Sequence, residues 1–147
     1  MNSPKVTVPG DQSIYRILVV EDNEGDIRLI QEAFLDCGYC CQLTRADTME
    51  AAKEMLRTKA FHLVLSDMGT NDERLDLIRS IRSDNELKAT PVVVLSGMCD
   101  SRAAYEAGAN AFILKAANLD EFFGKIKALM HFWVDIAELP QPVKEVP

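Results

Sequence analysis

The 147-residue sequence has no long apolar stretch and no excess of basic residues. No run approaches the roughly 18 apolar residues that a membrane-spanning helix needs, and no basic segment followed by an apolar one opens the chain. Sixteen Lys and Arg face 23 Asp and Glu, so the net charge of -7 gives no attraction to nucleic acid or to an anionic membrane. We therefore expect a cytoplasmic protein that binds neither nucleic acid nor membrane.

Cysteine is also scarce, with Cys37, Cys40, Cys41 and Cys99 as the four in the chain. This number and spacing exclude the disulfide framework of a small secreted domain, so we expect reduced thiols. Cys37 and Cys40 have the spacing of a redox pair, but a redox thiolate is stabilised at the start of a helix. Here the pair follows a predicted helix that Gly38 closes, where the helix dipole disfavours a thiolate.

The sequence does contain enough apolar residues, 48%, for one buried core in a chain of ordinary domain length. Short apolar runs recur without alternation, which predicts strands buried on both faces. These runs are Ile17–Val20, Leu63–Leu65, Val92–Leu95 and Phe112–Leu114. A fifth segment, Gln42–Arg45, alternates, as a strand at the edge of a sheet does.

Helical patterns separate the strands, and polar residues mark where helices begin. Asp47 stands three residues before Glu50, and Asn118 stands three before Glu121, as in capping boxes, whereas Gly108 ends a helix. The five predicted helices are Asp26–Asp36, Thr48–Lys59, Asp72–Arg82, Ser101–Ala107 and Leu119–Ile136.

Five strands that alternate with five helices predict an α/β fold, a single doubly wound five-stranded parallel sheet with helices on both faces. The flavodoxin-like strand order 2-1-3-4-5 fits best, and it places a ligand site beyond the carboxyl ends of the first and third strands. The domain is expected over residues 14–139. Prolines and the lack of periodicity predict flexible tails over residues 1–13 and 140–147.

Acidic residues follow the first and third predicted strands, which puts Glu21, Asp22 and Asp67 at one edge of the sheet. Converging carboxylates repel one another unless a hard cation lies among them, and Mg²⁺ prefers oxygen ligands while it keeps several waters. We therefore predict a magnesium site, with Asp22 and Asp67 as direct ligands and Glu21 acting through water. The backbone carbonyl of Gly69 is a further candidate ligand.

The fourth and fifth predicted strands end in Ser96 and Lys115, which brings a hydroxyl and an ammonium group to the same edge. This set suits phosphoryl transfer, in which the Asp67 carboxylate is the nucleophile and the metal and Lys115 neutralise charge. The Ser96 hydroxyl would bind the attached phosphoryl group. A single Asp at a strand end is usually a turn or capping residue, and a single Lys a surface charge, so the combination carries the prediction.

The chain resembles the receiver domains of two-component response regulators in segments that contain Glu21, Asp22, Asp67, Ser96 and Lys115. These segments are Ile17–Asp22, Leu63–Asp67, Pro91–Ser96 and Ala107–Lys115. The resemblance covers roughly residues 14–139. It implies that Asp67 is the phosphoacceptor, Glu21 and Asp22 the acidic pair, Ser96 the switch hydroxyl and Lys115 the phosphate-contacting lysine.

A second aspect of the resemblance concerns aromatic residues. Phe112 occupies the position of the family's aromatic switch, although a Phe on the last strand is otherwise a core residue. The segments Glu21–Phe34, Phe132–Trp133 and Leu139–Pro140 are similar to the small stand-alone regulators associated with phytochrome-type histidine kinases. That narrower resemblance implies a homodimer with Phe132 and Trp133 as candidate contacts; alternatively, the two aromatics pack the last helix onto the sheet.

The chain departs from the family pattern in three loops. The segment after Asp67 lacks the usual Pro-Gly loop and is about one residue shorter, and the segment between Ser96 and Lys115 is short by roughly three residues, nearly a turn at about 3.6 residues per turn. Ala116 follows Lys115 where the family has Pro, commonly after a cis bond. A cis bond before Ala costs about 2.5–4 kcal/mol, so we expect a trans bond and a different loop path.

The leading interpretation is a response regulator that accepts a phosphoryl group from a histidine kinase and signals to a downstream protein partner. It would catalyse its own phosphorylation and dephosphorylation without being an enzyme for other substrates. The alternative is a receiver-like scaffold that acts by dimerisation or partner binding without phosphorylation. A third interpretation, an enzyme for phosphorylated substrates, lacks a general acid, because Gly69 stands two residues after Asp67.

Overall fold

The computed structural model describes residues 6–8, 12–67, 72–97, 101–115 and 118–142. The strands are β1 (Val6–Val8), β2 (Gln12–Val20), β3 (Cys41–Ala46), β4 (Leu63–Ser66), β5 (Val92–Ser96) and β6 (Ala111–Leu114). The helices are α1 (Glu24–Asp36), α2 (Met49–Thr58), α3 (Asp72–Ser83), α4 (Ser101–Ala107) and α5 (Leu119–Met130), and a π-helical segment (His131–Ile136) continues α5. No helix within these residues has the length and apolar character that crossing a membrane requires.

Five strands form a parallel sheet in the spatial order β3-β2-β4-β5-β6. Counted along the chain, this is the predicted order 2-1-3-4-5, and the doubly wound α/β fold is confirmed. The alternating segment forms the edge strand β3, as expected. The register aligns Val20 with Ser66, Ser66 with Val94, and Ser96 with Leu114, so the strands end near one another at the carboxyl edge.

The hydrophobic core consists of two layers, one on each face of the sheet. Ile17 and Val19 of β2 face the layer formed with α1 and α5, whereas Leu18 and Val20 face the layer formed with α2, α3 and α4. All four side chains are fully buried. Each such side chain contributes about 1.5–3 kcal/mol by leaving water, which explains why the central strands carry apolar residues on both faces.

Polar side chains cap the helices, in part as predicted. The Asn118 side chain accepts a hydrogen bond from the amide of Glu121, so the predicted cap of α5 is confirmed. At α2 the cap is Thr48, whose hydroxyl accepts from the amide of Ala51 at 3.0 Å, and the prediction of Asp47 was wrong by one residue. Asp and Thr are both favoured at the N-cap, so residue type alone did not show which of the two adjacent residues caps the helix.

The structure differs from the sequence prediction at the N-terminus. Val6–Val8 pairs antiparallel with Gln12–Ile14, which extends β2 into a short hairpin within the region assigned to a tail. The short Val-Thr-Val alternation was the available signal, and the neighbouring Pro9 and Gly10 obscured it. The domain boundaries at 14 and 139 stay predictions, and residues 143–147 of the predicted C-terminal tail lie outside the described residues.

Candidate functional site

Four of the predicted site residues lie at the carboxyl edge of the sheet. Glu21 follows β2, Asp67 follows β4, Ser96 ends β5 and Lys115 follows β6. Backbone hydrogen bonds continue the ladder beyond the strand ends, from the amide of Asp67 to the carbonyl of Val20 at 2.8 Å and from the amide of Lys115 to the carbonyl of Ser96 at 2.7 Å. The sheet therefore fixes the points from which these side chains start.

Lys115 forms ion pairs with two carboxylates. Its Nζ lies 2.8 Å from Oδ1 of Asp67 and 3.3 Å from Oδ2 of Asp26. Only 2% of the Asp67 side chain is exposed, compared with 34% for Lys115 and 45% for Asp26. A buried carboxylate thus has a half-buried ammonium group in direct contact, which is the arrangement expected for a charged nucleophile and its counterion.

Three acids converge at this position. Glu21, Asp26 and Asp67 each place a carboxylate oxygen so that all three oxygens lie within 4.8 Å of one another. As whole residues, Glu21 and Asp67 are 1% and 5% exposed. Neither Oε1 of Glu21 nor Oδ2 of Asp67 receives a hydrogen bond within the described part of the chain. Such buried, unsatisfied acceptors are costly and require a proton or a cation.

The pKa values of these groups reflect the same crowding. Burial, together with the nearby Asp67 carboxyl, raises the pKa of Glu21 to about 9. Burial also raises the pKa of Asp67, although contacts with Glu21 and Lys115 oppose the rise. Burial alone would lower the pKa of Lys115, but its contacts with Asp67 and Asp26 outweigh this and raise it. At neutral pH and without a cation, the Glu21 and Asp67 pair therefore holds a proton, and Lys115 stays charged.

Asp26 reaches the site through the start of α1. Asn23 caps this helix, and its side chain accepts a hydrogen bond from the amide of Asp26 at 2.9 Å. The amide of Asn23 in turn donates to Oε2 of Glu21 at 2.9 Å. The cap therefore connects Glu21 to Asp26 and turns the first helical residues toward the carboxyl edge.

Asp22 lies outside the cluster of three acids, and its role as a metal ligand stays a prediction. Its side chain is 54% exposed, and its Oδ2 lies 3.6 Å from Nη2 of Arg74 at the start of α3. Asp26, rather than Asp22, joins Glu21 and Asp67 in that cluster. The candidate ligand Gly69 lies outside the described residues.

The arrangement fits a hard divalent cation. The converging donors are carboxylate oxygens, two of which are buried without a hydrogen-bond donor, and Mg²⁺ or Mn²⁺ takes such oxygen ligands. A bound cation would also relieve the repulsion that raises the pKa of Glu21. The residues present therefore fit the predicted cofactor.

A cleft of about 240 Å³ gives access to Asp67 from the side of α1 and α5. Asp26, Asp67, Lys115 and the cap residue Asn118 contribute its polar lining, and apolar residues of the two helices form the rest. The apolar residues are Leu29, Ile30, Leu119 and Phe122. Lys115 and Asp26 thus lie between the buried carboxylate and solvent.

Two residues near the site were not expected from the sequence. Arg45 of β3 donates through Nε to the carbonyl of Glu21 at 3.0 Å and pairs through Nη1 with Glu24 at 2.7 Å, which braces the segment that carries Glu21. Ser66, directly before Asp67, is buried, and its hydroxyl has no hydrogen-bond partner within the described ranges. An edge-strand Arg and a strand Ser offer no sequence signal of their own.

The predicted switch residues lie on adjacent strands. Ser96 is buried at the end of β5, next to β6. Phe112 of β6 is partly buried and packs against the layer formed with α2, α3 and α4. Its amide donates to the hydroxyl of Tyr105 at 3.1 Å, and Tyr105 itself is half exposed on α4. The role of these residues as a switch stays a prediction.

Phe132 and Trp133 lie in the π-helical segment after α5, and their rings contact edge to face at 5.2 Å between centroids. Trp133 packs against the core layer formed with α1 and α5, as the packing alternative expected. Phe132 is 47% exposed, and Ile136 one turn later is 65% exposed. The two aromatic residues therefore divide between the core and the surface, and dimerisation stays a prediction.

Comparison with known proteins places these features in a family. A family model described as the response regulator receiver domain matches residues 17–127. The response regulator Rcp1 of Synechocystis sp. is 28% identical over 135 residues, which cover 84% of this chain and 92% of Rcp1. The phosphorylated cyanobacterial phytochrome response regulator RcpA is 32% identical with a TM-score of 0.77, and the Mn²⁺-bound form of Rcp1 is 27% identical with a TM-score of 0.73. Each comparison covers 86% of this chain and 99% of the solved one. The chain therefore belongs to the response regulator receiver domain family.

Proposed function

We propose that the protein is a two-component response regulator that accepts a phosphoryl group from a histidine kinase on Asp67. The observation that carries this proposal is the buried Asp67 carboxylate, whose Oδ1 contacts Lys115 at 2.8 Å while Oδ2 has no hydrogen-bond donor in the described part of the chain. One oxygen is held by a cationic group, and the other is available for bonding. The protein catalyses its own phosphorylation and dephosphorylation, and it transmits its state to a downstream protein partner.

The transfer forms one bond and breaks one. A carboxylate oxygen of Asp67 bonds to phosphorus while the bond from phosphorus to the donor nitrogen of a phosphohistidine breaks. The electron pair stays on the imidazole of the kinase, which then takes up a proton. Lys115 neutralises part of the charge that spreads over the equatorial oxygens, and the hydroxyl of Ser96 binds the attached phosphoryl group.

Mg²⁺ is the cofactor that this acidic site favours. Glu21, Asp22 and Asp67 would hold the ion, Glu21 through water, together with the carbonyl of Gly69. A bound ion would supply positive charge that stabilises the phosphoryl group during transfer. Asp22 also pairs with Arg74 at 3.6 Å, so Arg74 would compete with a bound cation for this carboxylate. The Mn²⁺-bound form of Rcp1 supports a divalent cation in this family.

Similarity to the phytochrome response regulator RcpA supports a phytochrome-type histidine kinase as the donor. We also propose that the protein acts in the cytoplasm, as expected from the sequence. Phosphorylation would act through Ser96 and Phe112 to change a protein-binding face. The exposed ring of Phe132, next to Trp133, supports a homodimer contact at the end of α5. The receiver-like scaffold, which would use such contacts without phosphorylation, is the alternative.

The acceptor residue can be mapped chemically. After incubation with acetyl phosphate and Mg²⁺, borohydride reduces an aspartyl phosphate to homoserine, and peptide mass spectrometry locates the reduced residue. This homoserine serves as the label, and we expect it at position 67, in the peptide that contains Asp67. A label on another acid, such as Asp22 or Asp26, would reject Asp67 as the acceptor. No label at all on the parent would favour the scaffold alternative.

A further inference from the structure

Lys115 is held by two acids from different elements of the fold. Its Nζ contacts Oδ1 of Asp67, at the end of β4, and Oδ2 of Asp26, in the first turn of α1. The contact with Asp26 joins residues 89 positions apart in the sequence. The Asp26 carboxylate thus holds the same ammonium group that contacts Asp67.

We propose that Asp26 is a positioning residue that holds Lys115 at Asp67 before and during phosphoryl transfer, an inference that rests on the proposed function. A lysine side chain has a flexible four-carbon stem and loses much conformational freedom when its end is fixed. The residue after Lys115 is Ala116 rather than a conformationally restricted proline. The second carboxylate, from Asp26, restricts the end of the Lys115 side chain directly.

The start of α1 holds Asp26 firmly. The amide of Asp26 donates to the cap residue Asn23, whose own amide donates to Glu21. Asp26 lies in the first turn of this 13-residue helix, where the positive end of the helix dipole attracts acidic side chains. Asp26 thus offers Lys115 a well-placed acceptor at 3.3 Å.

The surrounding buried acids show why the position of Lys115 matters. Oε1 of Glu21 and Oδ2 of Asp67 are buried without a hydrogen-bond donor among the described residues, so the cluster is short of positive charge. When Asp67 becomes a phosphoaspartate, its Oδ1 contact can pass to an oxygen of the phosphoryl group. The contact with Asp26 does not depend on this change, so Lys115 stays within reach of the new charge.

The direct test is the initial rate of phosphoryl uptake from acetyl phosphate at saturating Mg²⁺. We compare the parent with Asp26→Asn, Lys115→Met, the double variant, and the control Asp36→Asn, which removes the same charge from the exposed far end of α1. Asp26→Asn should slow uptake about 3- to 10-fold in the parent and should not slow it in the Lys115→Met background, because the two residues act together. Asp36→Asn should match the parent.

Thermal unfolding of the same variants tests the contact without phosphorylation. Asp26→Asn should leave the Tm of the parent unchanged or lower it. It should raise the Tm of Lys115→Met by about 2–4 °C, since it removes a carboxylate left among acids without its cation.

Each result bears on a different claim. Equal slowing by Asp26→Asn in both backgrounds, or a rate like that of Asp36→Asn, would overturn the inference. Additive changes in Tm would overturn it as well. If the parent takes up no phosphoryl group, the proposed function fails instead, and the Tm comparison alone decides whether Asp26 holds Lys115.

Discussion

Replacing Glu21 with glutamine should stabilise the cation-free protein at neutral pH. Glu21 is 1% exposed, and burial beside Asp67 raises its pKa from 4.5 to about 9. In the unfolded chain the group ionises above its ordinary pKa, so between pH 4.5 and 9 the folded state binds a proton that the unfolded state does not. Stability is therefore lost as pH rises through this window. At pH 7 the loss is about 3 kcal/mol, because each pH unit above 4.5 costs about 1.36 kcal/mol.

Glutamine imitates the protonated acid, since its amide donates a hydrogen bond without taking a proton from solution. We expect Glu21→Gln to raise Tm by about 5–10 °C at pH 7 in EDTA. The difference from the parent should vanish near pH 4.5 and grow toward pH 9, as followed by circular dichroism. Added Mg²⁺ should raise the Tm of the parent more than that of the variant, because the ion also relieves the repulsion that Glu21 experiences in the parent. A lower Tm for the variant at pH 7, or a difference independent of pH, would refute this reasoning.

Three further predictions concern residues around the site and the core. Burial lowers the pKa of His62 from 6.5 to about 4, and protonation would break the bond that its Nδ1 accepts from a backbone amide at 3.0 Å. The contribution of His62 to stability should therefore fall by about 3 kcal/mol between pH 6.5 and 4, so urea unfolding should show the free energy of unfolding of the parent falling relative to that of His62→Asn; a difference that does not change with pH would exclude His62 as the cause. Arg74→Gln should tighten Mg²⁺ binding several-fold in calorimetry, because Asp22 loses its competing ion pair; unchanged or weaker binding would contradict this. Gly108→Ala should lower the free energy of unfolding by about 1–3 kcal/mol. The φ of +117° at this position is unfavourable with a Cβ atom, and that atom would lie 2.7 Å from Cγ of Arg82. An unchanged urea midpoint would disprove this prediction.

The sequence predicted the sheet well because burial on both faces leaves a direct pattern. The run Ile17–Val20 has no polar residue, and all its side chains are buried. The hairpin strand Val6–Val8 was missed because three residues beside Pro9 and Gly10 carry too little pattern. The π-helical segment after α5 was missed because a change in helical hydrogen bonding leaves no periodic signal over six residues.

The site was predictable where the backbone alone determines position. Glu21, Asp67 and Lys115 follow strand ends, so the parallel sheet brings them together. Asp26 was missed as a site residue because its position depends on the orientation of α1 and on the Asn23 cap. Asp22 adjoins Glu21 in sequence, but successive side chains point in different directions, and its side chain pairs with Arg74.

Intact-mass spectrometry after incubation with acetyl phosphate tests the central claim most directly. The samples are the parent, Asp67→Asn and the control Asp36→Asn, each with Mg²⁺ and with EDTA. We expect the parent and the control to gain the mass of one phosphoryl group only with Mg²⁺, and Asp67→Asn to gain none. Uptake by Asp67→Asn equal to that of the parent, or no uptake by the parent with Mg²⁺, would contradict a Mg²⁺-dependent phosphoacceptor at Asp67.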